Sequence, residues 1–134
     1  MPTKIFVNLP VTDLERSVGF YSSLGWQINQ AFTNENAACV VVSGEISVML
    51  LLHPFFAQFT TKPIAEPSTV EMILAVGLDT RDEVDAVAEN ALEAGAVAFR
   101  ETEDHGFSYT RTFADPDGHL WELFWMDASA MPGA

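Results

Sequence analysis

The sequence has few basic residues and a single cysteine. Six Lys and Arg stand against 19 Asp and Glu, which gives a formal net charge of −13 and a pI near 4.2. The lack of clustered basic residues argues against binding to nucleic acid or to anionic membrane surfaces, because both interactions need Lys and Arg. Cys39 has no partner for an internal disulfide, which favours a reducing compartment.

Long apolar segments are also missing. The longest apolar run, at residues 46–52, is far shorter than the roughly 20 residues of a membrane-spanning helix. The N-terminus lacks the apolar segment of a signal peptide. With 134 residues, 49% of them hydrophobic, the chain has the length and composition of one folded domain. We therefore expect a cytoplasmic globular protein with no nucleic-acid or membrane partner.

The chain consists of two similar halves, and the first begins with a predicted strand at residues 5–9 that ends at Pro10. A capping box, Thr12-x-x-Glu15, then predicts the start of a helix, because its two side chains can bind free amides there. Gly25 is predicted to end the helix, since glycine readily adopts a positive φ. Three further strands are predicted at residues 26–32, 37–42 and 46–52.

The second half repeats this order. A predicted strand at residues 72–78 precedes a second capping box, Thr80-x-x-Glu83, and Gly95 is predicted to end the next helix. Each half is therefore predicted to be a βαβββ unit, and the duplication predicts a pseudo-twofold axis. The three strands predicted after Gly95 lie at residues 96–100, 107–113 and 119–125.

A proline- and phenylalanine-rich segment joins the halves. We predict one domain over residues 1–134, with a first unit over about 3–53, a connector over 54–69 and a second unit over about 70–127. A connector of this length is either a linker whose phenylalanines cover a sheet or a subunit contact, or a lid over a ligand pocket. The linker is the interpretation that we favour.

Four segments follow one another in a characteristic order and spacing: 8–17 (NLPVTDLERS), 20–21, 24–25 and 115–123 (DPDGHLWEL). Together with the doubled βαβββ order they resemble the vicinal-oxygen-chelate superfamily, which includes glyoxalase I, bleomycin-resistance proteins and extradiol dioxygenases. Through residues 6–11, 49–51 and 105–107 the chain is also similar to a branch described as predicted lactoylglutathione lyase. The resemblance implies an α+β fold: two tandem βαβββ units form an incompletely closed, cup-shaped mixed sheet, with the helices outside and the ligand inside.

Metal-dependent members of this superfamily bind a divalent ion through inner residues of up to four strands. In this chain, three of those positions correspond to Phe6, Leu50 and Ile73, which have no donor atom, and only Glu122 keeps a ligand. Catalytic metals normally have three protein ligands, so we expect no metal ligand set and no cofactor. A divalent metal is the less favoured alternative, with His53, His105, His119 or Glu71 as substitute ligands.

Glu122 is the candidate catalytic residue. The carboxylate could act as a general base or as an anchor for a cationic or hydroxyl group. The equally weighted alternative is a structural carboxylate held by Arg111 or by a backbone amide. Arg111 itself could bind an anion, although pairing with an acidic residue is favoured. The candidate substrate-binding residues are Phe6, Asn8, Leu50, Ile73, Tyr109, Arg111 and Phe124.

Two function classes follow from the resemblance. The favoured one is binding of a small hydrophobic or cationic molecule in the cup without a tightly bound metal, as in bleomycin-resistance proteins. The alternative is a glyoxalase-I-like lyase or isomerase that uses Glu122 as a base with atypical metal ligands. A dimeric scaffold without small-molecule activity is the third possibility. Because members of the superfamily commonly dimerise, a homodimer is expected.

Overall fold

The computed structural model describes residues 2–130. These residues form two compact units, which divide between Thr69 and Val70. The first unit contains β1 (Ile5–Val11), α1 (Leu14–Ser23), β2 (Gln27–Asn29), β3 (Ala37–Val41), β4 (Ile46–Leu52) and α2 (His53–Phe56). The second unit contains β5 (Ile73–Gly77), α3 (Arg81–Glu93), β6 (Glu103–Asp104), β7 (Ser108–Ala114) and β8 (Leu120–Met126).

Each unit has a four-stranded mixed sheet, with strand order β1-β4-β3-β2 in the first and β5-β8-β7-β6 in the second. In both sheets the first strand pairs in parallel with the last, and the other pairs are antiparallel. The predicted α+β class and the doubled βαβββ order are thereby confirmed. Within residues 2–130, no helix is long and apolar enough to cross a membrane.

The first strand is longer than predicted, because Pro10 does not end it. β1 continues to Val11 and pairs only with β4, so it is an edge strand. An edge strand has one side without ladder hydrogen bonds, where the missing N–H of proline costs nothing.

The helix caps correct one prediction and confirm another. In α1 the capping residue is Asp13, whose Oδ1 accepts a hydrogen bond from the Arg16 amide at 3.0 Å, and Thr12 lies outside the helix. In α3 the capping residue is Thr80, as predicted, and its hydroxyl accepts from the Glu83 amide at 3.1 Å. Aspartate and threonine are similarly good capping residues, so the sequence pattern does not tell which of the two adjacent residues is the cap.

The strand predicted at residues 96–100 is wrong. Only an isolated bridge between Val97 and Ala114 forms there, and the edge strand of the second sheet is the two-residue β6. The amides of Phe99 and Arg100 donate instead to the Thr112 hydroxyl, at 3.3 and 3.1 Å. Side-chain hydrogen bonds of this kind compete with ladder formation.

The predicted strand at residues 26–32 is also shorter in the structure. β2 ends at Asn29, whose side chain accepts a hydrogen bond from the Ala31 amide at 3.0 Å. This contact caps a 3₁₀ turn at Gln30–Phe32.

Each sheet has one face that packs against a helix of its own unit. In the second unit the α3-facing side chains include Phe113 and Trp121, whose rings stack at 6.0 Å, and the fully buried Leu123. In the first unit, Phe20 and Tyr21 of α1 are buried. The fully buried sheet residues that share one face of that unit by register are Leu9, Val11, Ala38, Val40, Val48 and Leu50.

Candidate functional site

Strand register defines which side chains share a face with Glu122. On β7, Thr112 lies directly opposite Glu122, and on β5 Ala75 is its partner. Side chains of paired residues lie on the same side of a sheet. We call this side, which α3 does not cover, the open face of the second sheet; it carries Ile73, Ala75, Gly77, Thr110, Thr112, Leu120, Glu122 and Phe124.

Glu122 is bound by an arginine that the sequence analysis did not consider. Its Oε1 accepts a hydrogen bond from Arg100 Nη1 at 2.6 Å, and Arg100 Nε lies 3.1 Å from Glu103 Oε1. The hydrogen bond to Glu122 is the main cause that raises the pKa of Arg100. The prediction that Arg111 holds Glu122 is therefore corrected, because Arg100 occupies that role.

Tyr109 and Arg111 lie on the helix-covered face and not on the face of Glu122. The Tyr109 hydroxyl donates to Asp85 at 2.6 Å, and Arg111 donates to Asp85 at 3.1 Å and to Glu89 at 2.6 Å. The hydrogen bond from Tyr109, followed by that from Arg111, lowers the pKa of Asp85. Because Thr112 faces the same side as Glu122, its neighbour Arg111 must face the other side. The placement of both residues beside Phe124 is thus corrected.

A second arginine completes this helix-side cluster. Arg81, the first residue of α3, lies 4.4 Å above the Tyr109 ring and 5.9 Å from the Trp125 ring. Its two terminal nitrogens bind the two oxygens of Asp104, at 3.0 and 2.6 Å. This arrangement, together with the Gly106 amide, lowers the pKa of Asp104 to about 2. The cluster joins the start of α3 to β6 and β7, which is a structural role.

The first sheet has an equivalent face, which α1 does not cover and which carries Phe6, Asn8 and Met49. The pairing of Asn8 with Met49 corresponds to the pairing of Ala75 with Glu122. Met49 is therefore the counterpart of Glu122 in the first unit. The prediction that Leu50 is the inner residue of this strand is wrong by one position. Leu50 pairs with Leu9 and is fully buried on the opposite face.

A groove of about 570 Å³ lies on this face of the first sheet. Three phenylalanines from β1, the 3₁₀ turn and α2 line it, and Phe6 and Phe32 are 49% and 60% exposed. Phe55 comes from the first turn of the connector, so the connector contributes directly to the groove. We call this cavity the phenylalanine groove; its lining residues are Phe6, Ala31, Phe32, Thr33, Asn34, Ala37, Met49 and Phe55.

Two polar residues of the groove, Thr33 and Asn34, form hydrogen bonds with neighbouring backbone groups. The Thr33 hydroxyl donates to the Asn29 carbonyl at 2.8 Å and accepts from the Cys39 amide at 3.1 Å. Asn34 Oδ1 accepts from the amides of Asn36 and Ala37, at 2.8 and 3.1 Å. With its oxygen bound in this way, the Asn34 side chain has its NH₂ group left as a donor.

The donor set does not fit the divalent metal that the superfamily implies. Two of the four ligand positions, Phe6 and Ile73, carry hydrocarbon, and Met49 offers only a soft thioether. The remaining ligand, Glu122, already binds Arg100 through one oxygen. Among residues 2–130, no group of three or more His, Cys, Asp or Glu side chains is placed to hold a metal.

The histidines named as substitute ligands have other contacts, or another position, within their own units. His105 Nε2 is 3.4 Å from Glu103 Oε2, and His119 Nδ1 is 3.8 Å from Glu71 Oε1. His53 begins α2 in the first unit.

Comparisons with known proteins agree with this architecture. Residues 3–43 match the family model for the bleomycin resistance protein-like N-terminal region. A search of curated proteins finds no match.

Solved structures extend the likeness to nearly the whole chain. The hypothetical protein SA1046 from S. aureus is 27% identical, with a TM-score of 0.78 and coverage of 93% of this chain and 94% of that one. A glyoxalase/bleomycin resistance protein/dioxygenase from Nocardioides is 26% identical, with a TM-score of 0.72 and coverage of 100% and 89%. The bleomycin resistance determinant encoded on transposon Tn5 is 19% identical, with a TM-score of 0.66 and coverage of 94% and 99%, and it shares the fold.

Proposed function

The chain belongs to the vicinal-oxygen-chelate superfamily, and from that membership we propose that it binds a small, neutral, mainly apolar organic molecule in the phenylalanine groove, without a tightly bound metal. The observation that carries the proposal is the convergence of Phe6, Phe32 and Phe55 with Met49 on one sheet face. Ligand sites are typically apolar cavities of about 300–1,000 Å³ with a few fixed polar groups.

The lining also indicates which ligand chemistry is favoured. None of the groove residues carries an ionisable side chain, so nothing there would pair with a charged group. Asn34 offers an NH₂ donor, which suits a carbonyl, ether or hydroxyl oxygen on an otherwise apolar ligand. We therefore narrow the expected ligand from hydrophobic or cationic to neutral and hydrophobic.

Fluorescence titration with neutral N-phenyl-1-naphthylamine tests the proposal. We expect saturable enhancement with the unaltered protein, and a roughly five- to tenfold weaker affinity for Phe32→Ala, because about 1 kcal/mol of aromatic contact is lost. Phe107→Ala is the matched control: Phe107 is 54% exposed and lies in the second unit, outside the groove. Absence of saturation, or equal losses in both variants, would refute the groove as the binding site.

A second candidate function rests on Glu122. Its Oε2 makes no hydrogen bond to another described residue, so one carboxylate oxygen is available to a substrate, as a glyoxalase-I-like lyase or isomerase would need. Metal content of protein purified without chelators, measured by mass spectrometry, distinguishes the two functions. Near-stoichiometric metal, with turnover of the methylglyoxal–glutathione hemithioacetal that Glu122→Gln abolishes, would support the enzyme. If Glu122→Gln changed neither the ligand affinity nor the melting temperature, Glu122 would be excluded both as a general base and as an anchor for a ligand group.

We further propose a cytoplasmic homodimer. Phe59 in the connector and Val70 directly after it are exposed apolar side chains that a subunit contact would cover. Light scattering coupled to size exclusion at several concentrations tests the assembly, and a monomer throughout the range would refute it.

A further inference from the structure

One guanidinium group is held by two carboxylates on the open face of the second sheet. Arg100 Nη1 contacts Glu122 of β8 at 2.6 Å, and Arg100 Nε contacts Glu103 of β6 at 3.1 Å. The carboxylates come from different strands, so the sheet itself sets their spacing. The contact with Glu122 is a hydrogen bond, the contact with Glu103 is an ion pair, and the two carboxylates lie beside different nitrogens of one planar guanidinium.

The backbone of Arg100 is fixed by a buried residue of the same face. The Thr112 hydroxyl accepts from the amides of Phe99 and Arg100 and donates to the Arg100 carbonyl at 3.2 Å. Thr112 is only 4% exposed, and it lies directly opposite Glu122. Arg100 is therefore held beside Glu122 in two ways, because Thr112 binds its main chain and Glu122 binds its side chain.

We propose that Glu103 and Glu122 form a guanidinium-binding site and that Arg100 is its built-in occupant. In this role Arg100 supplies the positive charge that Glu122 would otherwise take from an external cation. The proposal explains why a carboxylate is accommodated on this face although the other superfamily ligand positions carry no matching donors. It concerns the second sheet alone and is independent of ligand binding in the phenylalanine groove.

The two carboxylates favour a cation between them. His105 Nε2 also lies 3.4 Å from Glu103, on the oxygen that Arg100 does not use. Without Arg100, the two carboxylates would face the same space with no guanidinium between them, and like charges at short range repel. Removal of the arginine side chain should therefore leave a vacancy that a free guanidinium ion fills.

Chemical rescue of Arg100→Ala tests the proposal. Backbone amide resonances of Thr112 and Glu122 are followed by nitrogen–proton NMR during addition of guanidinium chloride to about 100 mM, with chloride and ionic strength constant, because exposed ion pairs are weak. We expect saturable shifts in Arg100→Ala that are several times larger than in the unaltered protein. Tetramethylammonium, which has the same charge and no N–H donor, should give none.

Matched variants separate this result from general charge effects. Arg81→Ala also removes an arginine bound to a carboxylate, but on the other face, and it should not create the response at Thr112 and Glu122. The double variant Arg100→Ala, Glu122→Gln should lose it. Arg100→Gln keeps part of the stem and serves if the alanine variant unfolds. Non-saturable shifts, equal effects of both cations, or persistence in the double variant would overturn the proposal.

Discussion

Thr112 and Glu122 lie opposite each other on β7 and β8 and secure the two ends of one residue: the threonine hydroxyl binds the main chain of Arg100, and the glutamate binds its guanidinium. A segment predicted as a strand is thus fixed across the open face by side-chain contacts. The register places both contacts side by side, so neither can be altered without affecting the position of the arginine.

The first prediction concerns the Thr112 hydroxyl. Thr112→Val keeps the shape of the side chain but leaves the amides of Phe99 and Arg100 without their acceptor, which should lower the free energy of unfolding by about 1–3 kcal/mol. Thr112→Ser keeps the hydroxyl and should lose less. Urea unfolding at neutral pH measures both variants. A valine variant as stable as the serine variant would show that these hydrogen bonds do not hold the segment.

The second prediction concerns the acid side of the stability curve. The folded-state pKa of Asp104 is about 2, below the ordinary value of 3.8, mainly because Arg81 donates to it. Its ionised form therefore stabilises the fold above about pH 4, and this stabilisation is lost as pH falls towards 2. Arg81→Gln should lower the urea midpoint at pH 6, and the difference from the unaltered protein should shrink between pH 4 and pH 2.

A charge control accompanies this measurement. Lys62→Gln removes the same charge from the exposed connector, in the first unit, and should show no such convergence across the acidic range. A constant difference for Arg81→Gln at every pH would mean that the ion pair with Asp104 is not the source of the stabilisation.

The third prediction separates structure from ligand binding at Tyr109. Tyr109→Phe removes the 2.6 Å hydrogen bond to Asp85 but keeps the ring against which Arg81 stacks. A hydrogen bond to a charged acceptor at a partly exposed site should contribute about 1 kcal/mol to stability. We expect that loss in urea unfolding, with unchanged affinity for N-phenyl-1-naphthylamine. A weaker affinity at unchanged stability would restore Tyr109 as a ligand-binding residue.

The sequence was sufficient to predict the architecture because the signals were local. The cap at Thr80 and the helix ends at Gly25 and Gly95 depend on residues within a few positions of each other. The duplicated order then constrained the strands, and the βαβββ topology is confirmed. Asp13 replaced Thr12 as a cap because two adjacent residues had similar capping ability.

The face assignments failed where they depended on the register between strands. Strand alternation alone shows that Tyr109 and Arg111 share a face of the sheet. Only the pairing of Thr112 with Glu122 shows that this face is the one that packs against the helix. The same one-residue ambiguity selected Leu50 in place of Met49. Arg100 was not predicted as the partner of Glu122 because the two residues are 22 positions apart in the sequence. In addition, Arg100 lies in a segment that was predicted to be a strand.

The last prediction compares two glycines in the first unit with open space around both. Gly25 has a φ of 93°, which strains any residue with a side chain, whereas Gly19 lies inside α1. Gly25→Ala should therefore lower the free energy of unfolding by about 1–2 kcal/mol. Gly19→Ala should raise it by about 0.5–1 kcal/mol, because alanine is the better helix former. Neither added methyl group meets an atom within 4 Å beyond its chain neighbours and the backbone of its own helix. Opposite signs in urea unfolding would therefore isolate backbone conformation as the cause, and equal signs would refute the placement of Gly25 just beyond the end of α1.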